Sequence, residues 1–154
     1  MSSRTLSVGV VALSLLPACH SAMHAEEPQA GRAPFAALAS GQVRRTLLGS
    51  GPATDQAGWE TRLYLIEYGP GAVAPLHIHP VVGVGYVLEG SFESAFEGEQ
   101  PVVVKTGERF ADRAGVAHRL FRNLSDSRPL RFVIAYTIRP AQQIVYPGGA
   151  LPAN

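Results

Sequence analysis

The chain has 154 residues, of which 46% are hydrophobic and only 16% are charged. This balance excludes a largely disordered chain and fits one domain built around a single core. Because 13 Lys and Arg residues oppose 12 Asp and Glu residues, for a net charge of +1, no basic face for nucleic acid is expected.

Residues 1–18 have the pattern of an export signal. Arg4 precedes an apolar run over residues 6–16, which is too short to span a bilayer as a helix. The run leads into Leu16-Pro17-Ala18-Cys19, which resembles a bacterial lipobox, so cleavage before Cys19 and lipidation of its sulfur are expected. The alternative is an ordinary signal peptide in which this cysteine is incidental. We therefore predict an exported protein, either a periplasmic lipoprotein held to the membrane only by its lipid or a periplasmic or secreted protein without one.

The rest of the chain divides into a tether, a folded domain and a tail. Residues 19–41 are rich in Ala, Pro and Gly and are predicted to be a tether. The folded domain is expected over residues 42–147, followed by a mobile tail at residues 148–154.

Alternating and β-branched segments predict strands at regular spacing. The predicted strands cover residues 43–48, 59–68, 84–96, 101–105, 109–112, 118–124 and 130–138. The third of these is either one long strand or two strands that meet at a bend at Glu89-Gly90. Strands separated by short turns indicate a β-sandwich or a small barrel.

Three histidines are spaced so that they can meet at one point. His77 and His79 lie two residues apart, and such residues on a strand point to the same face. His118 follows later in the chain, after a second glycine-led run. If its strand lies beside the first, three imidazoles can bind one divalent transition metal, which is Fe, Mn, Ni, Cu or Zn. The alternative is a metal-free interior in which the histidines line a pocket.

These two stretches resemble the two sequence motifs of the cupin superfamily. The matching residues are Gly71, His77, His79 and Gly90 in the first motif, and Gly107, Gly115 and His118 in the second. The resemblance covers roughly residues 42–140 and implies an all-β fold, a single jelly-roll barrel (a double-stranded β-helix) of antiparallel strands. Among cupins, the chain resembles the quercetin-dioxygenase-like and related small-molecule oxygenases, some of which use three histidines.

Position 83 departs from the first motif, because Gly83 stands where the family usually has a metal-binding glutamate. Glu89 has the same strand parity but lies about 20 Å further along the strand, too far to join the same metal. The prediction is therefore a neutral shell of three histidines, with space at Gly83 for water or substrate. If residues 80–82 introduce no bulge, Gly83 and Gly85 share strand parity with His77 and lie on the same cavity face. There they either leave room for a ligand or admit an aromatic ring such as Phe110 or Phe121.

Three functions remain open at this stage. The first is a metal-dependent, dioxygenase-like enzyme acting on a small molecule, and retention of the three histidines favours an enzyme. The second is a non-catalytic barrel that holds a small molecule or a metal, which the missing glutamate favours. The third is a metal-assisted isomerase or lyase acting on a sugar or a carboxylate. No catalytic residue can be named.

The surface gives two further expectations. Arg119, Arg122 and Arg131 are predicted to form a solvated face, from which one arginine could bind a substrate carboxylate. A homodimer is expected to form through the strand at residues 130–138 together with an N-terminal strand, since an exposed strand edge favours pairing.

Overall fold

The computed structural model describes residues 36–152, and all regular secondary structure within them is β. The ten strands are β1 (Val43–Pro52), β2 (Glu60–Tyr68), β3 (His77–Ile78), β4 (Gly83–Glu89), β5 (Ser91–Phe96), β6 (Val102–Lys105), β7 (Arg109–Asp112), β8 (Ala117–Asn123), β9 (Leu130–Ile138) and β10 (Tyr146–Pro147). The predicted export signal, Cys19 and most of the predicted tether lie outside the described residues. The described part of the chain contains no helix with the length and apolarity needed to cross a membrane.

The strands form two five-stranded antiparallel sheets. One sheet has the order β1-β2-β9-β4-β7, and the other has the order β10-β3-β8-β5-β6. Neighbours within each sheet are often distant in sequence, as in a jelly roll. The predicted all-β jelly roll is therefore confirmed, with one correction: the strand pairing of the described residues gives two separate sheets rather than a closed barrel.

The first strand was predicted to end at Leu48, and this prediction is wrong, because β1 continues to Pro52 along β2. The register between the two strands shifts between Leu47 and Gly49, so one extra residue is absorbed there as a bulge. A bulge lets a strand bend without ending, which a search for uninterrupted alternation does not detect.

The chain changes sheets at two points that set the positions of the site residues. At Gly90, which has a φ of 83°, the chain turns from β4 in one sheet to β5 in the other. A positive φ is readily adopted by glycine, so the predicted bend at Glu89-Gly90 is a break between two strands. The second change lies between β3 and β4, which places His77 and Gly83 in opposite sheets. The parity argument that put these two residues on one strand face is therefore wrong.

Aromatic side chains join the two sheets. Phe92 of β5 and Phe121 of β8 stack with ring centroids 4.5 Å apart, and Phe121 lies 5.7 Å from Phe132 of β9. All three rings are buried, and burying rings of this size is a major source of stability. This aromatic core borders the region in which the three histidines meet.

A row of alternating charges crosses the outer face of four strands of the first sheet. Glu67 of β2 pairs with Arg44 of β1 at 2.6 Å and with Arg131 of β9 at 3.1 Å, and Arg131 also pairs with Glu89 of β4. The hydrogen bond from Arg44 is the main cause that lowers the pKa of the Glu67 carboxyl below its usual value. The predicted solvated position of Arg131 is wrong, because its side chain is buried in this row.

The structure also corrects the prediction that β9 pairs with a second copy of the chain through a free edge. β9 lies between β2 and β4, so both of its edges are already paired and it offers no free edge. In the first sheet, the outermost strands are β1 and β7.

Candidate metal centre

The structure brings the three predicted histidines together in the interior. His77 of β3 lies directly opposite His118 of β8 in the antiparallel pairing, and His79 follows the last residue of β3 and bridges to Ala114. The ring centroids are 4.8 Å apart for His77 and His118, 4.9 Å for His77 and His79, and 6.1 Å for His79 and His118. All three side chains are buried.

Each histidine has one ring nitrogen engaged by the protein and the other left for a ligand. The Nδ1 atoms of His77 and His79 donate to the carbonyl oxygens of Pro75, at 2.7 Å, and Ile144, at 2.9 Å. Nε2 of His118 lies 2.7 Å from Ser94 Oγ. Metal-binding histidines usually donate their second N–H in this way, which fixes the tautomer and the ring orientation.

Burial favours the neutral form that a metal ligand requires in two of these imidazoles, His77 and His118. Burial, aided by neighbouring His77 and His79, lowers the pKa of His118 to about 3. Burial is also the main cause that lowers the pKa of His77, against the opposing effect of its bond to Pro75. At neutral pH, His118 therefore carries a free lone pair rather than a second proton.

One buried ring nitrogen without a hydrogen-bond partner supports the fit of a metal to this site. Nδ1 of His118 is buried and has no hydrogen-bond partner among the described residues, a situation that costs free energy unless a ligand occupies it. One ligand nitrogen from each histidine lies within 4.8 Å of the other two. A set of imidazole nitrogens suits Zn, Cu, Fe or Ni, so these residues fit a divalent transition metal.

A buried carboxylate that the sequence prediction missed lies beside the histidines. Oδ2 of Asp112, at the end of β7, is 3.3 Å from Nε2 of His79 and accepts a 2.5 Å hydrogen bond from the Tyr136 hydroxyl. Burial, together with the charge of Asp112, raises the pKa of Tyr136 well above its usual value, so the phenol remains a donor. A metal shell made of the three histidines alone remains a prediction, and this carboxylate lies beside it.

The space beside each of the two predicted cavity glycines holds an aromatic ring. A Cβ atom at position 83 would overlap the ring of Tyr136 and lie 2.9 Å from Cδ1 of Ile134. A Cβ atom at position 85 would overlap the ring of Phe110. The two glycines therefore make room for aromatic rings, which is the second of the two predicted alternatives. No open space for water or substrate remains at Gly83.

The histidines open onto a cavity of about 350 Å³. Its lining is mainly apolar and aromatic, with Asp112 beside the histidines and Arg45 as the cation. Arg45 lies on edge strand β1 and is exposed, whereas Arg119, Arg122 and Arg131 do not line the cavity. The mixture of apolar walls and a few polar groups is typical of a small-molecule site.

Residues 64–136 match the family profile described as the cupin domain. No curated protein sequence matches the chain. A cupin-like protein from Thermotoga maritima MSB8 has a similar structure, at 19% identity over 72% of this chain and 79% of that chain, with a TM-score of 0.54.

The chain spans only part of two enzymes of known structure that it matches. It covers 55% of a recombinant oxalate oxidase in complex with glycolate, at 21% identity over 70% of this chain and a TM-score of 0.54. It covers 42% of the DMSP lyase DddQ from Ruegeria pomeroyi DSS-3, at 21% identity over 56% of this chain and a TM-score of 0.48. The chain is therefore similar to the cupin superfamily in its sequence profile over residues 64–136 and in its jelly-roll fold.

Proposed function

We propose that this domain holds one divalent transition metal through His77, His79 and His118 and presents it to a small anionic molecule in the cavity. The observation that carries the proposal is the buried, unpartnered Nδ1 of His118 within a cluster whose other two histidines each have one nitrogen anchored to a backbone carbonyl. A metal bound there would supply Lewis-acid activation of a ligand oxygen atom or of water. The chain's own contribution is to orient three imidazoles and to enclose the ligand between apolar walls.

Metal content of the full-chain protein tests this proposal. After incubation with Fe, Mn, Ni, Cu or Zn and removal of free ion, we expect about one equivalent of at least one metal by emission spectrometry. Retention of well below one equivalent of every metal would leave a metal-free binding barrel whose histidines line the pocket.

The class of reaction follows from which metal the protein holds when isolated. Iron, manganese, nickel or copper is compatible with a dioxygenase-like oxidation, whereas zinc has no redox chemistry and would favour an isomerase or lyase. Oxygen uptake in the presence of a bound ligand separates these two kinds of enzyme. A protein that binds its ligand without turnover would be the non-catalytic barrel.

The position of Arg45 supports an anionic ligand. This residue lines the cavity from β1, and within the described residues no carboxylate forms an ion pair with it. An arginine fork can bind a carboxylate through two parallel hydrogen bonds. We therefore expect Arg45 to select small carboxylates over neutral molecules of the same shape.

Replacement of Arg45 by glutamine is expected to weaken binding of glycolate to the Co²⁺-loaded protein by about tenfold, the usual cost of losing a charged hydrogen bond. Affinity for the neutral analogue glycolamide should stay unchanged. Both are measured by titration of the visible Co²⁺ absorption bands. Arg122→Gln is the matched control, because Arg122 is exposed and pairs with Glu93 away from the cavity. Equal affinity of wild type and Arg45→Gln for glycolate would contradict this role.

Export and lipid anchoring remain a proposal that rests on the sequence alone. Replacing Cys19 with alanine removes the sulfur that would carry the lipid, so we expect processing to stop or the protein to leave the membrane fraction. Cell fractionation and the mass of the mature protein measure both effects. If wild type and variant are equally soluble, ordinary secretion is the better interpretation.

A homodimer likewise remains a proposal, for which light scattering of the purified protein is the measurement.

A further inference from the structure

We propose that Asp112 supplies a fourth, anionic ligand to the metal and so replaces, from the neighbouring strand, the glutamate that the first cupin motif has at position 83. This inference rests on the proposed metal site of His77, His79 and His118. It changes the chemistry of that site, because a carboxylate partly neutralises the charge of the metal and leaves fewer open positions for a ligand.

The strand register places Asp112 next to position 83. Gly83 of β4 pairs directly with Asp112 of β7 on one side and with Tyr136 of β9 on the other. Residues directly opposite each other in antiparallel strands project from the same face of the sheet. Asp112 therefore enters the interior space that a side chain at position 83 would enter, displaced by one strand.

Asp112 lies close to the ring nitrogen of His79 that faces the site. Oδ2 of Asp112 lies 3.3 Å from Nε2 of His79, and that nitrogen is the one left for a metal when Nδ1 donates to Ile144. Two ligand atoms that each lie about 2.0–2.2 Å from one tetrahedral ion are about 3.5 Å apart. The two atoms are thus already at the separation of two ligands that share a metal.

Tyr136 holds the carboxylate of Asp112 in position. The Tyr136 hydroxyl donates to Oδ2 of Asp112, and the Tyr136 ring stacks on His79 with a centroid distance of 5.7 Å and an interplanar angle of 17°. Carboxylates that bind metals are commonly held by a second hydrogen bond of this kind. Tyr136 therefore acts as a positioning residue for both Asp112 and His79.

The buried carboxylate of Asp112 also favours a cation at this site. Asp112 is 5% exposed, and no lysine or arginine among the described residues forms an ion pair with it; the side chain beside it is the imidazole of His79. A buried carboxylate without a cation is costly. A divalent metal between Asp112 and the histidines would provide the missing positive charge.

A crystal structure of the full-chain wild-type protein loaded with Zn²⁺ gives the direct test. Anomalous scattering should locate the ion with a carboxylate oxygen of Asp112 at about 2.0–2.2 Å. An Asp112 oxygen more than about 3.5 Å from an ion held by the three histidines would overturn the proposal. This measurement does not depend on any variant being able to fold.

Asp112→Asn gives the test in solution, with Asp126→Asn as the matched control in an exposed loop. We expect Asp112→Asn to alter the visible spectrum of bound Co²⁺, which depends on the kind and number of ligands, and to weaken Zn²⁺ binding at least about tenfold. The control should match wild type in both measurements, and circular dichroism checks that each variant is folded. An unchanged Co²⁺ spectrum in folded Asp112→Asn would overturn the role of Asp112 while leaving the three-histidine site intact. Failure of the wild type to bind any metal would instead overturn the proposed function, and this inference with it.

Discussion

Replacement of His118 by alanine is expected to lower the metal affinity of the protein by about 100-fold or more. Loss of a residue that only hydrogen-bonds a metal ligand already costs about 10- to 100-fold, and loss of a ligand itself should cost more. His118 provides the unpartnered nitrogen of the cluster and lies directly opposite His77. Without it, the remaining imidazoles come from one short segment of chain. Competition with a chromophoric chelator, with Zn²⁺ as the probe, measures the change.

The control for this variant is His24→Ala, which makes the same chemical change in the predicted tether. Its metal affinity should equal that of wild type. Full binding of Zn²⁺ by a folded His118→Ala protein would remove His118 from the site. An equal loss of affinity in both variants would show that the effect is not specific to His118 and would contradict its role as a ligand.

Much of the fold could be predicted because local alternation marks each strand. The segment at residues 130–138 corresponds to β9, and that at 109–112 corresponds to β7. The assignment of strands to sheets was harder, because β3 contains only two residues and the chain then crosses to the opposite sheet before β4. Pairing between distant segments leaves no periodic trace in the sequence, and β10, which pairs with β3, was missed for the same reason.

The histidine cluster could be predicted because its spacing is shared with a known motif. Asp112 lies outside the motif positions and was therefore overlooked. A signal was nevertheless present: in the short strand at residues 109–112, Phe110 and Asp112 have the same parity, so an inward phenylalanine implies an inward aspartate. The contact between Asp112 and Tyr136 joins β7 to β9 and could not be obtained from parity alone.

Gly83 shows how the interior depends on the absence of a side chain. The sequence alone predicts that Gly83→Glu would restore a metal ligand, but the ring of Tyr136 already occupies that space. The ring is held by its hydrogen bond to Asp112, by stacking on His79 and by an edge contact with Tyr64 at 6.3 Å. Any side chain at position 83 must displace it.

Gly83→Ala is therefore expected to destabilise the domain by about 3 kcal/mol, as forced overpacking of a core does. For a domain of this size, that corresponds to a fall in Tm of about 10 °C. Gly51→Ala is the matched control, since a Cβ atom at position 51 meets nothing within 4 Å. Thermal unfolding should show a change of less than about 1 kcal/mol for the control.

Displacement of Tyr136 also breaks its hydrogen bond to Asp112, so Zn²⁺ affinity should fall in Gly83→Ala and stay unchanged in Gly51→Ala. Equal Tm values for the two variants would mean that the ring moves freely, and Tyr136 would then be too loosely held to position Asp112.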